Sequence, residues 1–113
     1  MDFYYEKLSN VDGISLRKYA DWCDPVHWMM TITLDEKYNR DEFLSYMKDK
    51  SIDCRQMINP VHHAEHFQND FNENDFTNSI NISRKSVHLP SSTSLNRSHI
   101  NKIYSYIKSF LQN

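Results

Sequence analysis

The nine residues from Val26 to Leu34 constrain the fold more than any other stretch. Val26, Trp28, Met30, Ile32 and Leu34 alternate with His27, Met29, Thr31 and Thr33. A period of two gives one apolar face only if the backbone is extended, so the run predicts a strand. Its second face is not strongly polar, and helices or a partner domain are expected to cover it. A helix signal follows: Asn39 can cap, Glu42 can close a capping box, and Phe43, Leu44 and Met47 give an apolar stripe ending near Lys50. Ile52–Ile58 reads as a second strand, stopped at Asn59-Pro60 because proline cannot donate to a ladder. The strongest helix lies near the end of the chain. After Asn96 as cap, Ile100, Ile103, Tyr104, Ile107 and Leu111 fall on one face at helical spacing.

Weaker signals fill the gaps. Residues 3–9 suit a short helix broken by Asn10–Gly13, residues 14–20 an imperfect first strand, and Phe76–Ser86 another helix. Val87–Leu89 makes a short strand before Pro90, and 62–74 reads as a polar loop with one helical turn. The expectation is an α+β fold over a single domain, residues 1–113: a small, mostly antiparallel sheet centred on 26–34 and 52–58, with helices packed on one face.

Composition narrows the function. Six Phe, seven Tyr and two Trp can fill a compact core in a chain of 113 residues. A formal charge of −2 suggests no nucleic-acid surface. No apolar run is long enough to span a bilayer, and DFYYEKLSN lacks a signal-peptide pattern, so a cytoplasmic protein is expected. The one glycine, Gly13, leaves no glycine-rich phosphate loop. Cys23 and Cys54 form no CxxC pair and are expected as free thiols.

Several side chains invite a chemical reading. His62 and His66 are four apart and would share a helical face fit for a metal, with Glu65 and Asp70 near; against this stand a solvated polar loop and an incomplete ligand set. Cys54 and His62 could be drawn as a nucleophile and base, but a cysteine inside a strand is more simply a small buried residue. Trp28 is expected in the core, and His27 and His88 as hydrogen-bonded structural residues. Arg55 differs, because a guanidinium in a strand needs an anion. That anion is either an acidic side chain of this domain or one from a ligand or partner domain.

Four segments, in order, resemble one family. YYEKLSNVDGISL is similar to the end of a long interdomain helix and its following loop, and PVHWMMTITLD to a first long strand. RDEFLSYMKDKSIDCRQMINPVHHAEHF resembles a helix followed by a "G-I-x-T-R" strand and a "Y-P-x-H" turn. FTNSINISRKSVHLPSSTSLNRSHINKIYSYIKSF resembles a closing "L-x-L-P" segment and capped helix. Together they look like the C-terminal small domain of the DegT/DnrJ/StrS family, pyridoxal-phosphate-dependent aminotransferases of fold type I that act on nucleotide-linked keto sugars. The chain departs from that pattern at Ser51, where the family usually has Gly, at Gln56 after the Arg, at Asn59 before Pro60, and at Asn78.

The resemblance implies a domain or fragment of such a transaminase, serving amino-sugar and surface-polysaccharide biosynthesis. It implies that Arg55, Asn59 and His62 contact substrate, Arg55 by pairing with an anionic nucleotide sugar and His62 with a sugar hydroxyl. The start at YYEKL, in mid-helix by the resemblance, favours an excised or truncated piece. Pyridoxal phosphate and its Schiff-base lysine would sit in a large domain outside this chain, whose eight lysines match no such motif. A homodimer is implied for the full enzyme, and the chain alone is expected to be inactive. The alternative is a stand-alone, non-catalytic binding module with the same fold.

Overall fold

The computed structural model describes residues 1–67 and 71–113. Among them the chain forms helices α1 (Asp2–Leu8), α2 (Arg40–Asp49), α3 (Thr77–Lys85) and α4 (Arg97–Leu111). Strands β1 (Ile14–Leu16), β2 (Met30–Leu34), β3 (Arg55–Gln56) and β4 (Ser86–Leu89) make a fully antiparallel sheet of order β1-β2-β4-β3. The expected α+β fold is what the chain adopts. Its centre differs, however: β2 pairs with β4, and the 52–58 region supplies only an edge strand of two exposed residues.

Met30, Ile32 and Leu34 of β2 and Val87 and Leu89 of β4 are nearly fully buried on one face. Against them pack Tyr4 and Leu8 of α1, Phe43 and Met47 of α2, and Ile100, Ile103 and Ile107 of α4. Burying each such side chain contributes about 1.5–3 kcal/mol. The three isoleucines therefore outweigh the cap of α4, which is worth about 1 kcal/mol. That cap is a reciprocal one. Asn96 Oδ1 accepts from the His99 N–H at 3.0 Å, and His99 Nδ1 accepts from the Asn96 N–H at 3.4 Å. At α2, Asn39 Oδ1 accepts from the Asp41 and Glu42 amides, while the return bond from Glu42 is not formed among the described contacts.

The strand expected over Val26–Leu34 begins only at Met30. Val26 is 97% and Trp28 76% exposed, so neither belongs to the core. The cause lies in the neighbouring strand. Met30 pairs with Leu89, and the next residue, Pro90, has no N–H to extend the ladder. The Met30 amide instead donates to Ser91 Oγ at 2.8 Å, closing the strand. On the other side β1 stops at Leu16, short of the expected 14–20, where it pairs with Ile32. Residues before Met30 thus have no strand to join.

Near the other sheet edge, a tight turn in which the Cys54 amide donates to the Ile52 carbonyl delays β3 until Arg55. The 62–74 stretch is more structured than a loop, holding 3-10 turns at Val61–His63, Glu65–Phe67 and Glu73–Phe76. Its residues 68–70 lie outside the described part. Among the described residues no helix is long and apolar enough to cross a membrane.

Candidate functional site

Arg55 lies directly opposite His88 of β4, and His88 lies opposite Thr31 of β2. Facing residues in antiparallel strands put their side chains on the same side of the sheet. Thr31, His88 and Arg55 therefore form a row across three strands, on the face away from the isoleucine core. Thr31 Oγ1 and His88 Nδ1 share a 2.8 Å hydrogen bond. His88 is 7% exposed, and its Nε2 has no hydrogen-bond partner among the described residues. Burial penalises the charged imidazole and lowers its pKa below the ordinary value.

Of the anions expected for Arg55, the one present is an acidic side chain of this domain, Asp53. The Arg55 side chain is 73% exposed, and its Nη2 lies 3.5 Å from Asp53 Oδ2, itself exposed. A pair so long and so wet contributes at most about 1 kcal/mol, which leaves the guanidinium available to a better anion. Asn59 is exposed in the irregular segment before Pro60. His62 stacks on Phe76, with ring centroids 4.5 Å apart and planes 22° apart, and meets His63 edge-on at 4.5 Å. Its buried Nε2 has no hydrogen-bond partner among the described residues.

The structure does not gather these three residues into one pocket. From Arg55 the chain runs along β4 toward its start: the Met57 amide donates to the Ser86 carbonyl, and Ser83 Oγ donates to the Ile58 carbonyl. His62 is then held by Phe76, at the far end of α3 from Ser86. No hydrogen bond, ion pair or ring contact among the described residues joins Arg55, Asn59 and His62. What accompanies Arg55 instead is the row through His88 and Thr31, which the sequence reading did not single out. The alternation of Val87-His88-Leu89 is visible in the sequence, but its pairing with Ile32-Thr31-Met30 is set only by the strand register.

Other chemical readings fare differently. His62 and His66 occupy two separate 3-10 turns with Ala64 between them, so they share no helical face. Among the described residues no group of three potential ligands could hold a metal; Asp70 lies outside them. Burial, and then the neighbouring Asp53, pushes the Cys54 thiol up to about 12, which keeps it protonated and a poor nucleophile. No lysine is buried; Lys85, one of the two that are half-exposed, is paired with Glu36 at 2.6 Å.

The chain matches the DegT/DnrJ/EryC1/StrS aminotransferase family over residues 1–108. It belongs to that family. No curated protein sequence matches it. Among solved structures, DesV of S. venezuelae, in complex with a ketimine intermediate, superposes with a TM-score of 0.87 at 22% identity, over 99% of this chain and 30% of DesV. The sugar aminotransferase CalS13 from Micromonospora echinospora gives 0.79 at 19%, over 96% of this chain and 28% of CalS13. DesI, solved in the presence of its TDP-sugar product, gives 0.81 at 15%, over 96% and 28%. At these identities the likeness is one of fold. This DegT-family chain spans about 30% of the length of those relatives.

One departure from the family pattern has a structural counterpart. The family's usual Gly position, Ser51 here, holds φ 59°, in the left-handed region that glycine adopts most easily. It ends α2 with the Ser51 amide donating to the Lys48 carbonyl and the Ile52 amide to the Met47 carbonyl, both at 2.9 Å. This is the paired-bond helix stop for which glycine is the usual residue.

Proposed function

We propose that this chain is the small domain of a pyridoxal-phosphate-dependent sugar aminotransferase, acting on a nucleotide-linked keto sugar within amino-sugar and surface-polysaccharide biosynthesis. Family membership over residues 1–108 is the observation that carries the reading. The larger part of such an enzyme would bind pyridoxal phosphate, which supplies the electron sink for amino transfer. The complete enzyme is read as a cytoplasmic homodimer. This chain's contribution is to the substrate cleft. Arg55, exposed and loosely paired, would bind the diphosphate of the nucleotide sugar with its planar fork. His62, held flat against Phe76, would hydrogen-bond a sugar hydroxyl, and Asn59 would line the segment between them.

The test is a chimera of DesI in which this chain replaces the matched segment, assayed for amino transfer with the TDP-sugar of DesI. Arg55→Met should raise KM about tenfold, since a charge-assisted hydrogen bond is worth about 1.5–3 kcal/mol. A folded, cofactor-loaded chimera without turnover, or one whose KM ignores Arg55, would refute this reading.

A further inference from the structure

His88 leaves one demand of the fold unmet. It is 7% exposed, yet its Nε2 is buried without a hydrogen-bond partner among the described residues. A buried polar atom left unpaired is destabilising, and native folds hold few of them. An atom so enclosed is beyond the reach of a ligand, so its partner has to be a side chain already beside it. Thr31 is spent on Nδ1, and Thr33, two residues along β2, is bonded to Ser86. Met57, two residues past Arg55, offers only a thioether, a weak acceptor. What remains is Arg55, which pairs directly opposite His88. Residues so placed have Cβ atoms about 4.5–5.5 Å apart on one side of the sheet, within reach of an arginine folded back over the imidazole.

We propose that His88 is a positioning residue for Arg55: its Nε2 accepts a guanidinium N–H, drawing the arginine off Asp53 and across the strands so that its other N–H groups face a diphosphate. The choice of a diphosphate rests on the functional reading above, and the contact between the two side chains stands apart from it. The tautomer follows from the charge opposite. Were Thr31 to donate to Nδ1, an Nε2–H would face the Arg55 cation; donation from Nδ1–H to Thr31 Oγ1 turns a lone pair toward it instead. Thr31 is part-exposed, so its own O–H can still bond to water. Burial favours the neutral ring, which keeps that lone pair free to accept. The pair that Arg55 gives up is a loose one, 3.5 Å long between exposed groups. One N–H spent on His88 leaves the guanidinium an edge with which to hold two phosphate oxygens.

Two measurements separate the contact from its use. In the free chain near neutral pH, long-range proton–nitrogen correlation spectra of the imidazole should show Nδ1 protonated and Nε2 as a bonded acceptor. The Nε2 resonance should move toward that of a free acceptor in Arg55→Met, and further from it in Asp53→Asn, which releases the arginine. An Nε2–H tautomer overturns the proposal, and so does an Nε2 resonance that Arg55→Met leaves in place, which would assign the partner to a buried water. In the DesI chimera, His88→Asn keeps a group where Nδ1 meets Thr31 but none where Nε2 was. KM for the TDP-sugar should rise about fivefold at unchanged kcat. His88→Gln, whose amide oxygen comes near the place of Nε2, should recover most of that loss although it gives up the Thr31 bond. A merely structural histidine gives the reverse order, with Asn the milder change, and that order overturns the proposal. So does a rise in KM that persists in full on an Arg55→Met background, since His88 would then act without the arginine. If Arg55→Met leaves KM unmoved while the Nε2 signature holds, the diphosphate reading falls and the contact stands. Should His88→Asn fail to fold, the spectra of the unsubstituted chain and of Arg55→Met still decide.

Discussion

Ser51 and Gly13 show how much of this fold hangs on single backbone conformations. Ser51 stops α2 at φ 59°, where a Cβ costs about 1–2 kcal/mol. Ser51→Gly relieves that strain but frees the unfolded chain. The net gain should be about 0.5–1 kcal/mol, seen as a higher urea midpoint at unchanged m. A lower midpoint would mean that the serine is not strained. Gly13 is the converse case. It holds φ 93°, and a Cβ there would lie 2.8 Å from Cε2 of Tyr38. That ring cannot easily retreat, because its hydroxyl donates to the Leu111 carbonyl at 2.7 Å and ties the hairpin entry to the end of α4. Gly13→Ala should therefore cost upward of about 2 kcal/mol. A loss below half of that would show that Tyr38 swings aside.

Helix α4 and strand β4 respond to different perturbations. In α4, Asn96→Ala removes the acceptor for the His99 amide and should cost about 1 kcal/mol, measurable by thermal unfolding. In β4, His88 ties stability to pH. Its pKa is lowered in the folded state, while an unfolded histidine titrates near pH ~6.5. The stabilisation is thus complete above that value and lost as pH falls through it toward the folded pKa, because only the unfolded chain takes up the proton. The melting temperature should fall from pH ~7.5 to pH ~5.5, and less steeply in His88→Gln. Equal slopes would exclude His88 as the titrating group. The same two elements show what the sequence could reveal. The α4 stripe and the Ile32-centred alternation are local patterns that burial preserves, so both were legible. That Val26 and Trp28 fall outside β2 was not, because Pro90, sixty residues on, ends the strand they would have joined. The site was harder still. Arg55 stood out by its chemistry, but its alignment with His88 and Thr31 depends on a register between strands that no local pattern encodes.

At the scale of the whole molecule, the chain should form no specific adduct with pyridoxal phosphate, since none of its lysines is enclosed. Mixing the two and trapping with borohydride should give slow labelling scattered over several lysines. A single stoichiometric adduct would contradict this. The sheet's ends carry a separate consequence. Its two outer strands are three and two residues long, and Arg55 and Gln56 of the shorter one are exposed. Strands so brief present too few free amides and carbonyls to template an incoming chain. Amyloid growth from the native fold therefore has nowhere to begin. If the isolated chain clumps on concentration, it should do so through flat faces, giving assemblies that redissolve on dilution and leave thioflavin dark.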